Sequence, residues 1–336
     1  MLRINEDDYS YASAFIRAIE VKLLDTGRFD RMLDASTAEE AFKVLAEAEY
    51  GNGSGNTGNV FEYEELLADE MMKCYSMLFE IAPQTGIIEA FQRRHDYFNV
   101  KVLLKSELSG KEAPSILVST GTFEKDEIKR IIREREYGEF TPIMQQAIEE
   151  TYDLFARTQD PQVIDLLLDK ASYHQLVTDL RAIDSSFLHE FAEITVDIIN
   201  IKMFIRARSL NKSWDFIKKL LLEDGTISEE VYIENSDKVI DAFIGALHKS
   251  RYGETVYMGW ELFKTKKNIS GLEKLLDDYM MKFVQGSKMV LMGIEPLIAY
   301  LFAKEAEIRN VRIIMTGKIN KLPADLIRER LRFSYV

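Results

Sequence analysis

The sequence predicts an all-α fold, on three observations. Apolar residues recur at helical spacing, and no sustained stretch alternates with the two-residue period of a strand. Among 336 residues there are 6 Pro and 17 Gly, so the two strongest helix breakers leave long runs intact. Finally, one short pattern, acid-x-x-Asn-(Val/Ile)-(Lys/Arg), occurs three times: Asp96-Tyr-Phe-Asn99-Val100-Lys101, Asp197-Ile-Ile-Asn200-Ile201-Lys202 and Glu307-Ile-Arg-Asn310-Val311-Arg312. The copies lie roughly 100 and 110 residues apart, and each sits in a helical run. Tyr97, Val100 and Leu104 share a face, as do Ile198, Ile201 and Ile205, and Ile308, Val311 and Met315. The spacing predicts one helical repeat used three times: residues 1–120, 121–224 and 225–336, with borders near 120 and 224.

In the first repeat, Ala35-Ser36-Thr37-Ala38-Glu39-Glu40 is a capping-box arrangement opening a helix over Ala38–Tyr50. A helical run over Glu64–Ile81 and the first Asn helix follow, and Ser115–Val118 reads as loop. Gly121-Thr122-Phe-Glu-Lys-Asp-Glu127 opens the second repeat and Gly225-Thr226-Ile-Ser-Glu-Glu230 the third. In both, the Thr hydroxyl is expected to cap a helix whose acidic first turn suits the helix dipole. Tyr50-Gly51, Tyr137-Gly138 and Tyr252-Gly253 are each expected to end an amphipathic helix, with Gly in the left-handed position. The run Met289–Ala303 reads as a buried core helix restarting at Pro296, and Val311–Met315 as helix. The third repeat departs from the pattern after its Asn helix, with Thr316-Gly317 and then Pro323 near a helix start. Loops are expected at Gly51–Asn59, Glu107–Ser119 and Arg206–Ser213.

Net charge is −13, which argues against a nucleic-acid platform. The charge is uneven: Lys304–Arg332 holds eight Lys/Arg against four Asp/Glu. Its cations Arg312, Lys318, Lys321, Arg328 and Arg332 are candidates for contact with an acidic partner surface. A solvated helix face with i, i+4 pairing is the plainer reading. One cysteine, Cys74, cannot form an internal disulfide and suits a reducing compartment. The polar, acidic start suggests no signal peptide. No apolar run reaches the roughly 20 residues a spanning helix needs.

Chemistry-bearing motifs are sparse. Gly53, Gly55 and Gly58 nominally match G-x-G-x-x-G, but a helix rather than a strand precedes them. No phosphate loop G-x-x-x-x-G-K-(S/T) occurs. His95, His174, His189 and His248 show no metal-ligand spacing, and no nucleophile motif is present. Asp277-Asp278 reads as an exposed helix face. No catalytic residue, cofactor or metal is expected. The triplicated Asn99, Asn200 and Asn310, with Asp96, Asp197 and Glu307 three residues earlier, read as structural. A buried Asn could fix register where helices cross, since leaving it unpaired costs about 1–3 kcal/mol.

Beyond these patterns, Gly293-Ile-Glu-Pro-Leu-Ile-Ala-Tyr300-Leu-Phe-Ala-Lys-Glu305-Ala-Glu-Ile-Arg-Asn310-Val-Arg312 resembles a C-terminal signature found in one family of V-type ATPase components, the C subunit of archaea and bacteria and the d subunit of eukaryotes. Tyr11-Ala-Ser-Ala-Phe-Ile-Arg17-Ala-Ile-Glu20-Val-Lys-Leu-Leu24, the Tyr-Gly steps and the Asn pattern extend the resemblance over essentially the whole chain. It implies three similar helical bundles in a pseudo-threefold, funnel-shaped arrangement, and a non-catalytic rotor part. It further implies a place on the cytoplasmic side of the membrane. There it would link shaft subunits D and F to the proteolipid ring and transmit torque for ATP-coupled H⁺ or Na⁺ transport. The alternatives are a helical scaffold of another assembly, and an acid/base enzyme using helix-borne carboxylates.

Overall fold

The computed structural model describes residues 2–48, 50, 59–110 and 116–336. In chain order these form helices α1 (Ser10–Ile19), α2 (Thr26–Asp34), α3 (Ala38–Glu47), α4 (Tyr63–Ile81), α5 (Gly86–Ser109), α6 (Lys125–Glu134), α7 (Pro142–Thr158) and α8 (Gln162–Arg181). There follow α9 (Ser186–Ser209), α10 (Trp214–Leu220), α11 (Glu229–Glu234), α12 (Ile240–Ala246), α13 (Gly253–Lys266), α14 (Ser270–Gln285), α15 (Glu295–Ile319) and α16 (Ala324–Arg328). Strand structure among the described residues is one two-residue parallel pair, β1 (Leu2–Arg3) with β2 (Ile183–Asp184). The all-α reading is correct.

Local chemistry sets the helix starts. Thr37 accepts from Glu40 N while the Glu40 carboxylate accepts from Ser36 N, so the predicted capping box opens α3. Thr141, followed by Pro142 in the first turn, caps α7. Ser185 and Ser213 cap α9 and α10, and Pro296 stands in the first turn of α15. The three Asn-bearing helices α5, α9 and α15, of 24, 24 and 25 residues, are the longest, and each has buried residues all round. A helix apolar on every side belongs inside its bundle.

By packing, the chain falls into two compact units. Unit one comprises Met1–Arg3 and Gln84–Ile240, and unit two comprises Ile4–Pro83 and Asp241–Val336. These packing units differ from the three sequence repeats. In unit one, α5 packs on α6 and α8, and α8 on α7 and α9. Val100, Leu104, Ile128, Ile131, Ile148 and Leu168 are fully buried there, each worth about 1.5–3 kcal/mol by removal from water. Phe91 and Phe191 meet edge to face at 5.6 Å, joining α5 to α9. In unit two, α15 packs against α1, α2, α3, α4, α14 and α16, and α13 pairs with α14. The α13–α14 approach is close because residue 259 is Gly: a Cβ there would lie 2.3 Å from Leu272 Cδ1 and 2.9 Å from its Cα.

Several local expectations fail for identifiable reasons. The second and third Tyr-Gly steps do not end helices. α6 stops at Glu134 with Arg135 in the left-handed conformation, and Tyr137–Glu139 is a separate 3₁₀ turn. α12 stops at Ala246, and Gly253 instead starts α13, where a Cβ would sit 2.4 Å from His248 O. α3 stops at Glu47, and Gly51 lies outside the described residues, as do residues 51–58 and 111–115 of the expected loops. Arg206–Ser209 continues α9 rather than starting a loop. Within Met289–Ala303, Met289 is 86% and Leu291 83% exposed, so only the part from Ile294 is core.

Candidate functional site

The three Asn side chains make the same pair of bonds. Asn99 Nδ2 donates to Val118 O at 2.9 Å while its Oδ1 accepts from Val118 N at 2.9 Å. Asn200 does the same with Leu222 (2.9 and 2.8 Å), and Asn310 with Arg332 (3.0 and 2.9 Å). Each amide thus pairs with a peptide unit as a neighbouring β-strand would. Only one amide orientation matches donors to acceptors, which fixes its assignment. The partner is a returning segment 19, 22 and 22 residues downstream, not a crossing helix as expected. All three Asn are at most 3% exposed, where an orphaned amide would be costly.

The acid three residues earlier grips the next stretch of the same segment in two copies. Asp96 Oδ2 accepts from Thr122 N (3.0 Å) and Thr122 Oγ1 (2.7 Å), and Oδ1 from Phe123 N (3.3 Å). Asp197 accepts from Thr226 N (2.9 Å), Ile227 N (3.1 Å) and Thr226 Oγ1. The Thr hydroxyls are therefore spent on the carboxylates and do not cap α6 or α11. The preceding Gly permits the approach: a Cβ on Gly121 would lie 2.1 Å from Asp96 Oδ1, and one on Gly225 2.3 Å from Asp197 Oδ1. Burial holds the Asp96 carboxyl above its ordinary range, against the opposing effect of the Thr122 and Phe123 bonds.

The third copy differs. The residue three places beyond the clamped Arg332 is Tyr335, not Gly. Glu307, one methylene longer than Asp, turns elsewhere and accepts from Leu24 N, Tyr50 Oη and Lys304 Nζ, the last at 2.6 Å. Glu70 stands 3.4 Å from the same ammonium. Lys304 and Glu307 are 5% and 4% exposed. Burial acts to lower the Lys304 pKa, but Glu307, Tyr300 and Glu70 outweigh it and hold the ammonium above its usual range. Cys74 is buried nearby with its thiol pushed up to about 12, chiefly by burial, so it is a weak nucleophile.

The C-terminal cations are mostly engaged within unit two. Arg312 makes a forked pair with Glu64 at 2.8 Å. Lys318 caps α2 by donating to Leu33 O and Ala35 O. Arg328 pairs with Asp30, and Arg332 with Asp277 at 2.7 Å. Lys321, exposed and left-handed at φ 54°, has no ion pair among the described residues. Asp277 and Asp278 are not a free face: Asp278 accepts from Phe333 N at 2.7 Å, so the two aspartates hold the terminal segment. These pairings are tertiary rather than i, i+4.

Sequence reasoning missed Lys304, Tyr50 and Glu70, although Lys304 stands one helical turn before Glu307. It missed also that Gly121 and Gly225 serve a close approach. A third feature it passed over is a cavity of about 580 Å³ in unit one, lined by α8, α9, α10 and Leu222. Among the described residues, no group of three or more His, Cys, Asp or Glu could hold a metal. No helix there is long and apolar enough to cross a membrane.

Comparison with known proteins places this architecture. The model of the family described as ATP synthase (C/AC39) subunit matches residues 12–330. The C subunit of the V-type sodium ATPase of Enterococcus hirae is 24% identical over 332 residues, covering 98% of this chain and 99% of that protein. The C subunit of the A-type ATP synthase of Methanocaldococcus jannaschii is 23% identical, covering 96% of this chain and 86% of that protein. Its counterpart in Thermococcus kodakarensis is 24% identical, with coverage of 96% and 89%. With a match that runs through all three Asn motifs and nearly the full length, the chain belongs to the ATP synthase (C/AC39) subunit family.

Proposed function

We propose that this chain links the central shaft of a rotary A/V-type ATPase, formed by subunits D and F, to the membrane proteolipid ring. In this reading it is a peripheral rotor part on the cytoplasmic side and transmits torque for ATP-coupled H⁺ or Na⁺ transport. As a member of the family it is a non-catalytic subunit of the complex, and the near-full-length family match is the observation that carries the proposal. The geometry supports it in one respect. An adaptor under torque has to be stiff, and the longest helices are each tied to a returning segment by paired side-chain-to-backbone bonds. The buried carboxylates are occupied with the fold itself, which favours a mechanical over an acid/base role.

We infer also that residues 1–120, 121–224 and 225–336 are three versions of one helical bundle set in a pseudo-threefold funnel. The recurring Asn clamp supports this, because helix and returning segment are joined alike in each. Of the C-terminal cations, Lys321 is the best remaining candidate for a partner contact, the other four having internal partners.

The test is co-sedimentation of the purified chain with protein-free liposomes, with vesicles carrying the proteolipid ring, and with ring plus D and F. Binding is expected only where the ring is present and to strengthen with the shaft subunits. Equal binding with and without the ring would overturn the proposal. In the assembled enzyme, omitting this chain is expected to leave ATP hydrolysis by the head but abolish ion pumping.

A further inference from the structure

The chain has 13 methionines, and burial sorts them. Met32, Met144, Met281 and Met315 are at most 2% exposed, whereas Met289 is 86%, Met258 50% and Met292 44% exposed. A thioether is oxidised at a sulfur lone pair, so access to solvent orders the reactivity. Met289 and Met292 stand on the connection between α14 and α15, in unit two. The backbone of this turn is fixed against α1. Arg17 Nη2 donates to Ser287 O at 2.6 Å and to Val290 O at 2.9 Å. Ser13 Oγ donates to Gly293 O at 3.2 Å and accepts from Gly293 N at 3.3 Å.

The neighbour of Met292 sets it apart from Met289 and Met258. Its Sδ lies 3.2 Å from the Oγ of Ser10, the first residue of α1. The same hydroxyl lies 2.7 Å from Asp7 O. A serine hydroxyl has one proton to give, and a thioether is a weak acceptor. The closer carbonyl therefore takes the proton, and the sulfur keeps its lone pairs for an oxidant.

Oxidation changes that competition. Hydrogen peroxide passes one oxygen to a sulfur lone pair: an S–O bond forms and the O–O bond breaks. The sulfur is oxidised by two electrons, and the peroxide is reduced to water. The sulfoxide is polar where the thioether was apolar, and its oxygen is a strong acceptor beside Ser10. We propose that Met292 is a peroxide-sensitive modification site whose sulfoxide draws the Ser10 hydroxyl from Asp7 O, adding a bond between the turn and α1. Asp7 O keeps its bond from Ser10 N, so the start of α1 loses little. The inference goes beyond the rotor reading and stands without it.

The test treats the full chain with hydrogen peroxide and follows each methionine by peptide mass spectrometry. Met289 is expected to convert first, Met258 and Met292 next, and the core methionines only in urea. Hydrogen–deuterium exchange then reads the turn in a Met258→Leu, Met289→Leu background, where Met292 is the open sulfur. Oxidation is expected to slow amide exchange over residues 286–294 by at least ~3-fold, the effect of one added hydrogen bond on local opening. In the same background with Ser10→Ala, folded by circular dichroism, oxidation is expected to leave exchange unchanged or faster. A methionine sulfoxide reductase supplied with a thiol should restore the starting rate. Met292 left unmodified once Met258 is fully converted would overturn the proposal. So would exchange that oxidation fails to slow with Ser10 present, or slows equally in Ser10→Ala.

Discussion

The clamps of unit one and the clamp of unit two solve the same problem with different reserves. Around Asn99 and Asn200 a carboxylate adds three more bonds to the returning segment, through a Gly that lets the backbone come close. Around Asn310 the second grip comes from another helix, through Asp277 and Asp278 of α14, and the carboxylate of Glu307 serves a buried lysine, a tyrosine and Leu24 instead. The lesson is that one pattern can keep its amide role intact while its acid is redeployed. The acid's partners are set by whether a glycine follows, not by the pattern itself.

The largest expected effect breaks the comparison at Glu307. Glu307→Ala leaves the 5%-exposed Lys304 without its closest carboxylate and is expected to cost about 3–5 kcal/mol, read as a fall in the urea midpoint of unfolding. Glu307→Ala with Lys304→Met should recover much of that loss, because the stranded charge is gone. Next comes Gly225→Ala, whose Cβ must displace the Asp197 carboxylate, at about 2–3 kcal/mol. Tyr335→Ala, at the matching place in unit two, creates no such clash and should act only through lost packing. If Gly225→Ala proves neutral, the close-approach account is wrong.

The amide grip itself should be graded. Asn200→Ala strands both polar groups of the buried Leu222 and is expected to cost about 2 kcal/mol, whereas Asn310→Ala faces a partly exposed Arg332 and should cost about 1 kcal/mol. The same midpoints measure both, and a larger loss at Asn310 would reverse the ranking. Arg312→Ala removes a pair exposed by about half on each side and should cost at most ~1 kcal/mol. The finest distinction depends on pH. The folded state holds the Asp96 proton more tightly than the unfolded chain, since burial raises its pKa above 3.8. Its ionisation therefore subtracts stability as pH rises from that value through the folded pKa. The stability of the wild type relative to Asp96→Asn should fall over that window and then level off; a rise would refute the direction.

Much of the fold was legible because helix periodicity, capping residues and scarce Pro act within one or two turns. The α3 box and the Pro296 start were readable for that reason. What failed depended on distant chain. That Asn200 would bond Leu222 rather than a crossing helix requires knowing where the segment after α10 returns. The role of Gly225 is invisible until Asp197 is placed against it. Met289 and Leu291 extended an apolar run in sequence, yet they occupy a turn that leaves them exposed. The C-terminal cations suggested a partner surface because a charge count does not show that Asp277 lies opposite Arg332, 55 residues away. The cavity beside α8, α9 and α10 was missed because its walls come from three helices, none of them unusual alone.

The chain path through the two units also fixes an order of events during synthesis. Apart from its short N-terminal strand, unit one is continuous, Gln84–Ile240, whereas unit two needs residues 4–83 and 241–336 together. Helix α15, against which α1 to α4 pack, follows all of unit one in the chain. At about 5–20 residues per second, residues 4–83 wait roughly 10–50 seconds for α15 while unit one closes. That interval is when nascent chains of this protein most need a chaperone.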